Sequence, residues 1–278
     1  MKEIIFLTEI YPFPTHGGKE IRSFGLLKLL ADLGYKLHIV VLNIKDSDTT
    51  NSDFLSNHKI YEIKRKKRKI LKAIRYYFLP RRDVIKLIDK IIKEKAIDFA
   101  FIDYRFLGQY IMPIRKRGVS VIYGTHNAQA FLELMEPCNK LKQCIKKLFL
   151  DLYRRLHERI FFNKCNALIV VSEEDRIYHE KFVENKKIYL LPNFVELENS
   201  DCRRDNYIII TASFCAYQNL EGLKWFLKDV WNAELSNKTR LLLVGRGSNE
   251  TLKALSDSGY YCENVNALGE VDHVKIFL

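Results

Sequence analysis

The chain has 278 residues, 47% of them hydrophobic, and its 46 Lys and Arg against 34 Asp and Glu give a net charge of +12. That apolar content supplies core for two domains of ordinary size and excludes a disordered chain. The basic excess favours anionic partners: nucleotides, nucleic acid or an acidic membrane face. The six cysteines, Cys138, Cys144, Cys165, Cys202, Cys215 and Cys262, form no CxxC pair. Neither a zinc site nor a disulfide framework is implied, and they read mostly as small core residues of a cytosolic protein. The first apolar run is broken by Thr8 and Glu9, too early for a signal-peptide core. No stretch approaches the roughly 20 apolar residues needed to cross a bilayer. The chain therefore reads as cytoplasmic, either soluble or peripheral.

Taken in order, short apolar runs predict strands over 4–7, 37–42, 99–102, 119–123, 167–171 and 188–191. Most are continuous, as expected of strands buried on both faces of a parallel sheet. Helical patterns between them cover 18–33, 83–95, 106–116, 141–162 and 173–182. The alternation predicts an α/β fold with a doubly wound, Rossmann-like first domain over 1–193. A polar stretch over 194–206 reads as a linker. A second series follows over 207–278: strands at 207–211, 240–244 and, weakly, 265–268, with helices at 220–230 and 249–256. That second unit is small for a complete doubly wound domain.

Four stretches carry candidate chemistry. In "PTHGGKEIRSFGLLKLL", Gly17 and Gly18, beside His16, stand between a strand and a helix. Glycines there let a ligand approach the main chain, and the helix start offers free N–H groups to an anion. The pair reads as a phosphate cradle or as a plain tight turn, and it is not the GxGxxG fingerprint of a nicotinamide cofactor. In "VIYGTHNAQAFLELME", the strand delivers Gly124, Thr125, His126 and Asn127 to its carboxyl end, where open α/β sheets bind ligands. His126 suits a sugar hydroxyl or a phosphate, or else caps a surface loop, while Glu133 and Glu136 read as solvated helix residues. Ser172, ahead of three acidic residues, has the pattern of a helix N-cap. Pro192 and Asn193 close the last strand before the linker, as a boundary turn or a hinge. No carboxylates cluster at metal-ligand spacing, so no metal and no other cofactor is implied.

One run stands apart. Residues 63–82, "IKRKKRKILKAIRYYFLPRR", hold ten basic residues and no acidic one, led by Lys64, Arg65, Lys66, Lys67, Arg68 and Lys69. Such a cluster is a solvated charged loop, an anionic-lipid contact worth about 1 kcal/mol per basic residue, or a nucleic-acid patch. No nucleic-acid motif accompanies it.

Together these residues resemble a GT-B fold glycosyltransferase of the retaining group called family 4. The matching pieces run in that family's order: the GG loop, "YGTHN", "IVVSEED", "LPNFVE", then "TASFCAYQNLEGLKWFLKDVW" and "LLLVGRGS". The resemblance implies transfer of a sugar from a nucleoside-diphosphate donor to a glycan or lipid-linked acceptor with retained configuration. The setting it implies is cell-envelope polysaccharide or glycolipid synthesis. By the same resemblance, Gly17 and Gly18, with Thr125 and Asn127, line the phosphate and acceptor pocket. His126 contacts the transferred sugar, and Ser213, Asn219, Gly245 and Gly247 serve the donor.

Three departures accompany it. No basic residue lies between Thr211 and Leu223, where the family often places a diphosphate contact. Ala212 replaces a usual glycine. The family's later pair of glutamates lies beyond Leu278, so the resemblance implies a chain cut within its second domain, with little transfer activity of its own. The rival expectations are a non-catalytic remnant that binds only acceptor or membrane, and a basic nucleic-acid module. The basic run places the protein on the inner face of the cell membrane in the reading that uses it. The expected outcome is co-sedimentation with anionic vesicles that weakens as salt rises and is lost when Lys64, Arg65, Lys66 and Lys67 become Gln. Equal binding to neutral vesicles at high salt would count against it.

Overall fold

The structure is a computed structural model and describes residues 2–11, 18–44, 57–64, 78–104, 106–125, 144, 148, 152, 155–183, 187–194 and 206–271. The chain divides into two compact units, Met1–Glu196 and Leu197–Leu278.

The first unit is built on β1 (Glu3–Thr8), β2 (Lys36–Ile44), β3 (Lys59–Lys64), β4 (Ile97–Asp103), β5 (Ser120–Gly124), β6 (Ala167–Val170) and β7 (Lys187–Leu190). They form one seven-stranded sheet in the order β3-β2-β1-β4-β5-β6-β7, every pairing parallel. Burial on both faces explains the continuous apolar run of β1, whose Ile4, Ile5, Phe6 and Leu7 are all shut off from solvent. Successive side chains point to opposite faces. Ile4 and Phe6 meet Leu26, Leu27 and Leu30 of α1 (Gly18–Asp32). Ile5 and Leu7 share a core with Val84, Ile88 and Ile91 of α2 (Arg82–Glu94) and with Ile111 and Ile114 of α3 (Ile111–Arg115). Each such side chain stabilises the fold by roughly 1.5–3 kcal/mol relative to its exposed state. A helix over 155–161, α4, adds Phe161 to this core. After β6, α5 (Glu173–Glu180) starts at Ser172, whose hydroxyl accepts the Asp175 N–H at 3.1 Å, as the sequence pattern predicts.

Two elements differ from expectation. β3 was not predicted, because its sequence KIYEIK alternates with charge. It is one edge of the sheet, β7 being the other, and its exposed Lys59, Glu62 and Lys64 discourage pairing with another chain. The helix expected over 106–116 begins later. Gly108–Tyr110 is a 3-10 turn pressed onto α4, so close that a Cβ on Gly108 would stand 2.6 Å from that of Phe161.

The second unit holds β8 (Tyr207–Thr211), β9 (Arg240–Val244) and β10 (Val265–Gly269), parallel and in the order β10-β9-β8. Its helix α6 (Tyr217–Trp225) runs on into a wider π turn at Phe226–Val230. The short α7 (Ala233–Lys238), absent from the sequence reading, is capped by Asn232 accepting the Leu235 N–H at 3.0 Å. α8 (Ser248–Asp257) completes the unit. Phe214, Leu223, Leu227, Trp231, Leu241, Leu243, Leu255 and Val265 form its core.

The strand tips of this unit are locked to each other. Gly245, at φ 129°, lies so close to the preceding loop that a Cβ would stand 2.1 Å from the Ala212 carbonyl oxygen. Its N–H donates to the Gly269 carbonyl at 2.7 Å, and the Gly269 N–H donates to Ser248 Oγ at 3.0 Å. Gly245→Ala therefore meets backbone that cannot swing aside, and a loss of about 2–5 kcal/mol is expected in chemical denaturation. Gly259→Ala, also at positive φ (85°) but facing open space, should cost only about 1–2 kcal/mol.

His179 gives the first unit a pH dependence. It is fully buried, packed 5.4 Å from Phe162, 5.0 Å from Tyr178 and 5.4 Å from Phe182, with no hydrogen-bond partner on either ring nitrogen. Burial pushes its pKa down from 6.5 to about 4. Between those values the unfolded chain binds the extra proton, so stability is full above pH 6.5 and falls as pH drops towards 4. The expected loss is about 3 kcal/mol, and His179→Phe should remove that part of the pH slope.

Candidate functional site

Strand order reverses between β1 and β4, and ligands of open α/β sheets bind outside the carboxyl ends of the strands at such a switch. Here the register sets Thr8 beside Asp103 and Asp103 beside Gly124. Thr8 and Asp103 are wholly buried, and Thr125, just past β5, is nearly so. The Ile10 N–H donates to Thr8 Oγ1 at 3.0 Å and turns the chain off β1. Asp103 Oδ2 accepts the Ser23 hydroxyl in a short hydrogen bond that fixes α1 over the switch. The next residue, Tyr104, has φ 127°, a region that non-glycine residues rarely adopt. Such strain persists only where the surroundings enforce it, and it clusters at functional sites.

Arg22 lies one position before Ser23 and is only 3% exposed. Its Nη1 donates to Asn193 Oδ1 at 2.8 Å and to the Leu191 carbonyl at 3.4 Å. One turn along the same helix, a Cβ on Gly25 would stand 3.2 Å from the Phe194 ring. The helix that follows the glycine loop is thus clamped onto the segment leaving β7. Burial pulls the Arg22 pKa below its ordinary value, while the charges of Asp103 and Asp175 push back.

The expected site residues distribute as follows. Gly18 opens α1 with no atom near its would-be Cβ. Thr125 is tied to β6, its N–H and hydroxyl both donating to the Ile169 carbonyl at 2.9 and 3.2 Å. Gly17, His126, Asn127, Arg65, Lys66, Lys67, Arg68 and Lys69 lie outside the described residues. Lys64 ends β3, and its carbonyl accepts from Arg81 at 3.3 Å.

In the second unit, Asn219 donates to the Ser213 carbonyl at 3.0 Å, so its amide group shapes the loop that opens α6. The Phe214 N–H donates to the Arg246 carbonyl at 2.9 Å. Gly247, at φ 79°, passes so close to Cys215 that a Cβ would stand 2.7 Å from its sulfur. Gly245 and Gly247 therefore have a reason within the fold itself, the close approach of two loops. Cys215 is exposed at this turn, unlike the buried Cys165 and the half-buried Cys144 and Cys262. An open groove of about 770 Å³ runs along α8 and the flank of β9 and β10, lined by Arg240, Leu242, Asn249 and Lys253 among others. No buried polar cluster marks it.

Sequence reasoning missed Arg22, Ser23, Asp103 and Tyr104. A signal existed for three of them: the helical spacing of Leu26, Leu27 and Leu30, extended back one turn, lands on Arg22 and Ser23. Asp103 ends a strand whose preceding residues are apolar, a position that also asks for a partner.

Comparison with known proteins adds the family. A model described as Glycosyltransferase Family 4 matches residues 16–199. A comparison with curated proteins returned no match. Among solved structures, the chain is similar to sucrose-phosphate synthase from Thermosynechococcus elongatus, at 14% identity over 98% of this chain and 71% of that one, with a TM-score of 0.67. TarM is similar at 12% identity over 100% of this chain and 78% of that one, with a TM-score of 0.66. Medicago truncatula UGT71G1, complexed with UDP-glucose, is similar at 12% identity over 99% of this chain and 73% of that one, with a TM-score of 0.55. With its parallel α/β units matching these folds and the family model covering well over half of its length, this chain has the GT-B fold and belongs to glycosyltransferase family 4.

Proposed function

We propose that the protein transfers a sugar from a nucleoside-diphosphate sugar to a glycan or lipid-linked acceptor, with retained configuration, in cell-envelope glycan synthesis. The observation that carries this reading is the buried polar cluster at the switch point of the first sheet, inside the family-matched residues. In this reading the first unit holds the acceptor side and the second the donor. The loop 212–216 and the loop 245–248, joined by the Phe214 N–H to Arg246 carbonyl hydrogen bond, turn the remaining main-chain N–H groups of Ser213, Cys215, Arg246 and Gly247 to where the leaving diphosphate gathers charge. Preorganised donors there stabilise the transition state more than the ground state. Ser213 adds a hydroxyl to that loop. Gly18 leaves the start of α1 open to a ligand, and His126 positions the transferred sugar. UDP-glucose in the Medicago complex is the precedent for the donor class. The basic run 63–82 fits attachment to an anionic membrane beside a lipid-linked acceptor; no helix among the described residues is long and apolar enough to cross one.

Calorimetric titration with nucleoside diphosphates comes first, since it needs no acceptor. Binding is expected, and Ser213→Ala should weaken it by about two- to tenfold. Mass spectrometry with a panel of nucleotide sugars and neutral acceptors should then detect product of retained anomeric configuration. His126→Ala should slow its formation about 10- to 100-fold, the cost of one hydrogen bond in the transition state, without loss of nucleotide affinity. Nucleotide binding with no product from any donor would contradict transfer and leave a binding protein.

A further inference from the structure

Arg22 is half paired. A guanidinium binds oxygen pairs through the edge formed by Nε and Nη2, and Arg81 shows this in the same unit, gripping Asp83 at 3.0 and 2.7 Å through those two atoms. In Arg22 the Nη1 side holds Asn193 and Leu191, while Nε and Nη2, both shielded from solvent, have no hydrogen-bond partner. Buried charged donors without a partner are rare and call for an explanation. This one stands in α1, directly after the glycine loop and at the strand switch. Its neighbours across the switch include Asp103, wholly buried, and strained Tyr104 follows.

Charge narrows the ligand. Arg22 lies in the field of two carboxylates, Asp103 and Asp175, and those charges work against a phosphate. A hydroxyl group meets both kinds of neighbour, accepting from the guanidinium and donating to a carboxylate. We propose that the Nε/Nη2 edge of Arg22 receives two oxygens of an uncharged, polyhydroxylated ligand at the β1/β4 switch, the Asn193 contact holding the guanidinium in place for it. Calling that ligand the sugar acceptor rests on the transferase reading; the site itself does not.

The test uses the full chain labelled with 15N-arginine. The Nε–H resonance of Arg22, identified by its loss in Arg22→Lys, is followed by NMR during titration with methyl glucoside, methyl galactoside and N-acetylglucosamine, and separately with inorganic phosphate. At least one neutral sugar is expected to move it, and phosphate at equal concentration is not. Arg22→Met should weaken the sugar at least about tenfold, and Arg22→Lys should not restore it, because an ammonium lacks the paired edge. Asn193→Ala, which loosens the guanidinium but keeps it, should weaken the sugar less. The titration of the unsubstituted chain decides the matter even if Arg22→Met does not fold. A shift with phosphate alone, no shift with any sugar, or undiminished sugar binding by Arg22→Met would overturn the proposal. UDP binding, measured in parallel, should survive Arg22→Met. A chain that binds sugar but no nucleotide would fault the transferase reading while leaving this site standing.

Discussion

The reversal of strand order between β1 and β4 is the constraint on which the first unit's candidate site depends. Every pairing in the sheet is parallel, so all seven strands present their carboxyl ends at one edge. On one side of the switch the crossovers carry the chain towards β3, on the other towards β7. It is at such a reversal that open α/β sheets bind ligands. Ser23, beside Arg22 on α1, meets Asp103 at the tip of β4. A hydrophobic core alone would not place three polar side chains there. The hydrogen bond between Ser23 and Asp103 makes their burial tolerable, while Asn193 and the Leu191 carbonyl satisfy only the Nη1 side of Arg22.

How much of this could be read in the sequence follows from where each residue's environment comes from. β1 and β4 are legible because burial on both faces demands an uninterrupted apolar run. Ser172 is legible because an N-cap is a local matter of one hydroxyl and one N–H three residues on. β3 is not, since its apolar residues alternate with Lys59, Glu62 and Lys64 and leave no continuous run. Arg22 and Asp103 are illegible as a pair: 81 positions separate them in the chain (22 to 103), and only the topology brings them to the same switch. The glycines of the second unit were legible as glycines. Their reason was not, because the obstacle to a side chain at Gly245 is the Ala212 carbonyl of a different loop.

The two units meet the same requirement in different ways. In the first, side chains fill the space beyond the strand tips with a charged and hydroxylated cluster. In the second, main chain does so, with Gly245, Gly247 and Gly269 allowing three strand ends to bond loop to loop. A side-chain cluster offers donors and acceptors of both signs, suited to hydroxyls. A backbone lattice spends its own N–H groups but fixes the neighbouring ones of Ser213, Cys215, Arg246 and Gly247, suited to an anion whose charge grows during reaction.

Hydrogen exchange read by mass spectrometry, on the full chain with and without a nucleoside diphosphate and a neutral sugar together, tests most directly whether the strand tips are the ligand sites. The account predicts protection in peptides covering 8–11, 18–27, 101–104 and 191–194 of the first unit and 211–217 and 244–248 of the second, with little change elsewhere. Protection centred instead on the α8 groove around Asn249 and Lys253, with none at the strand tips, would contradict it.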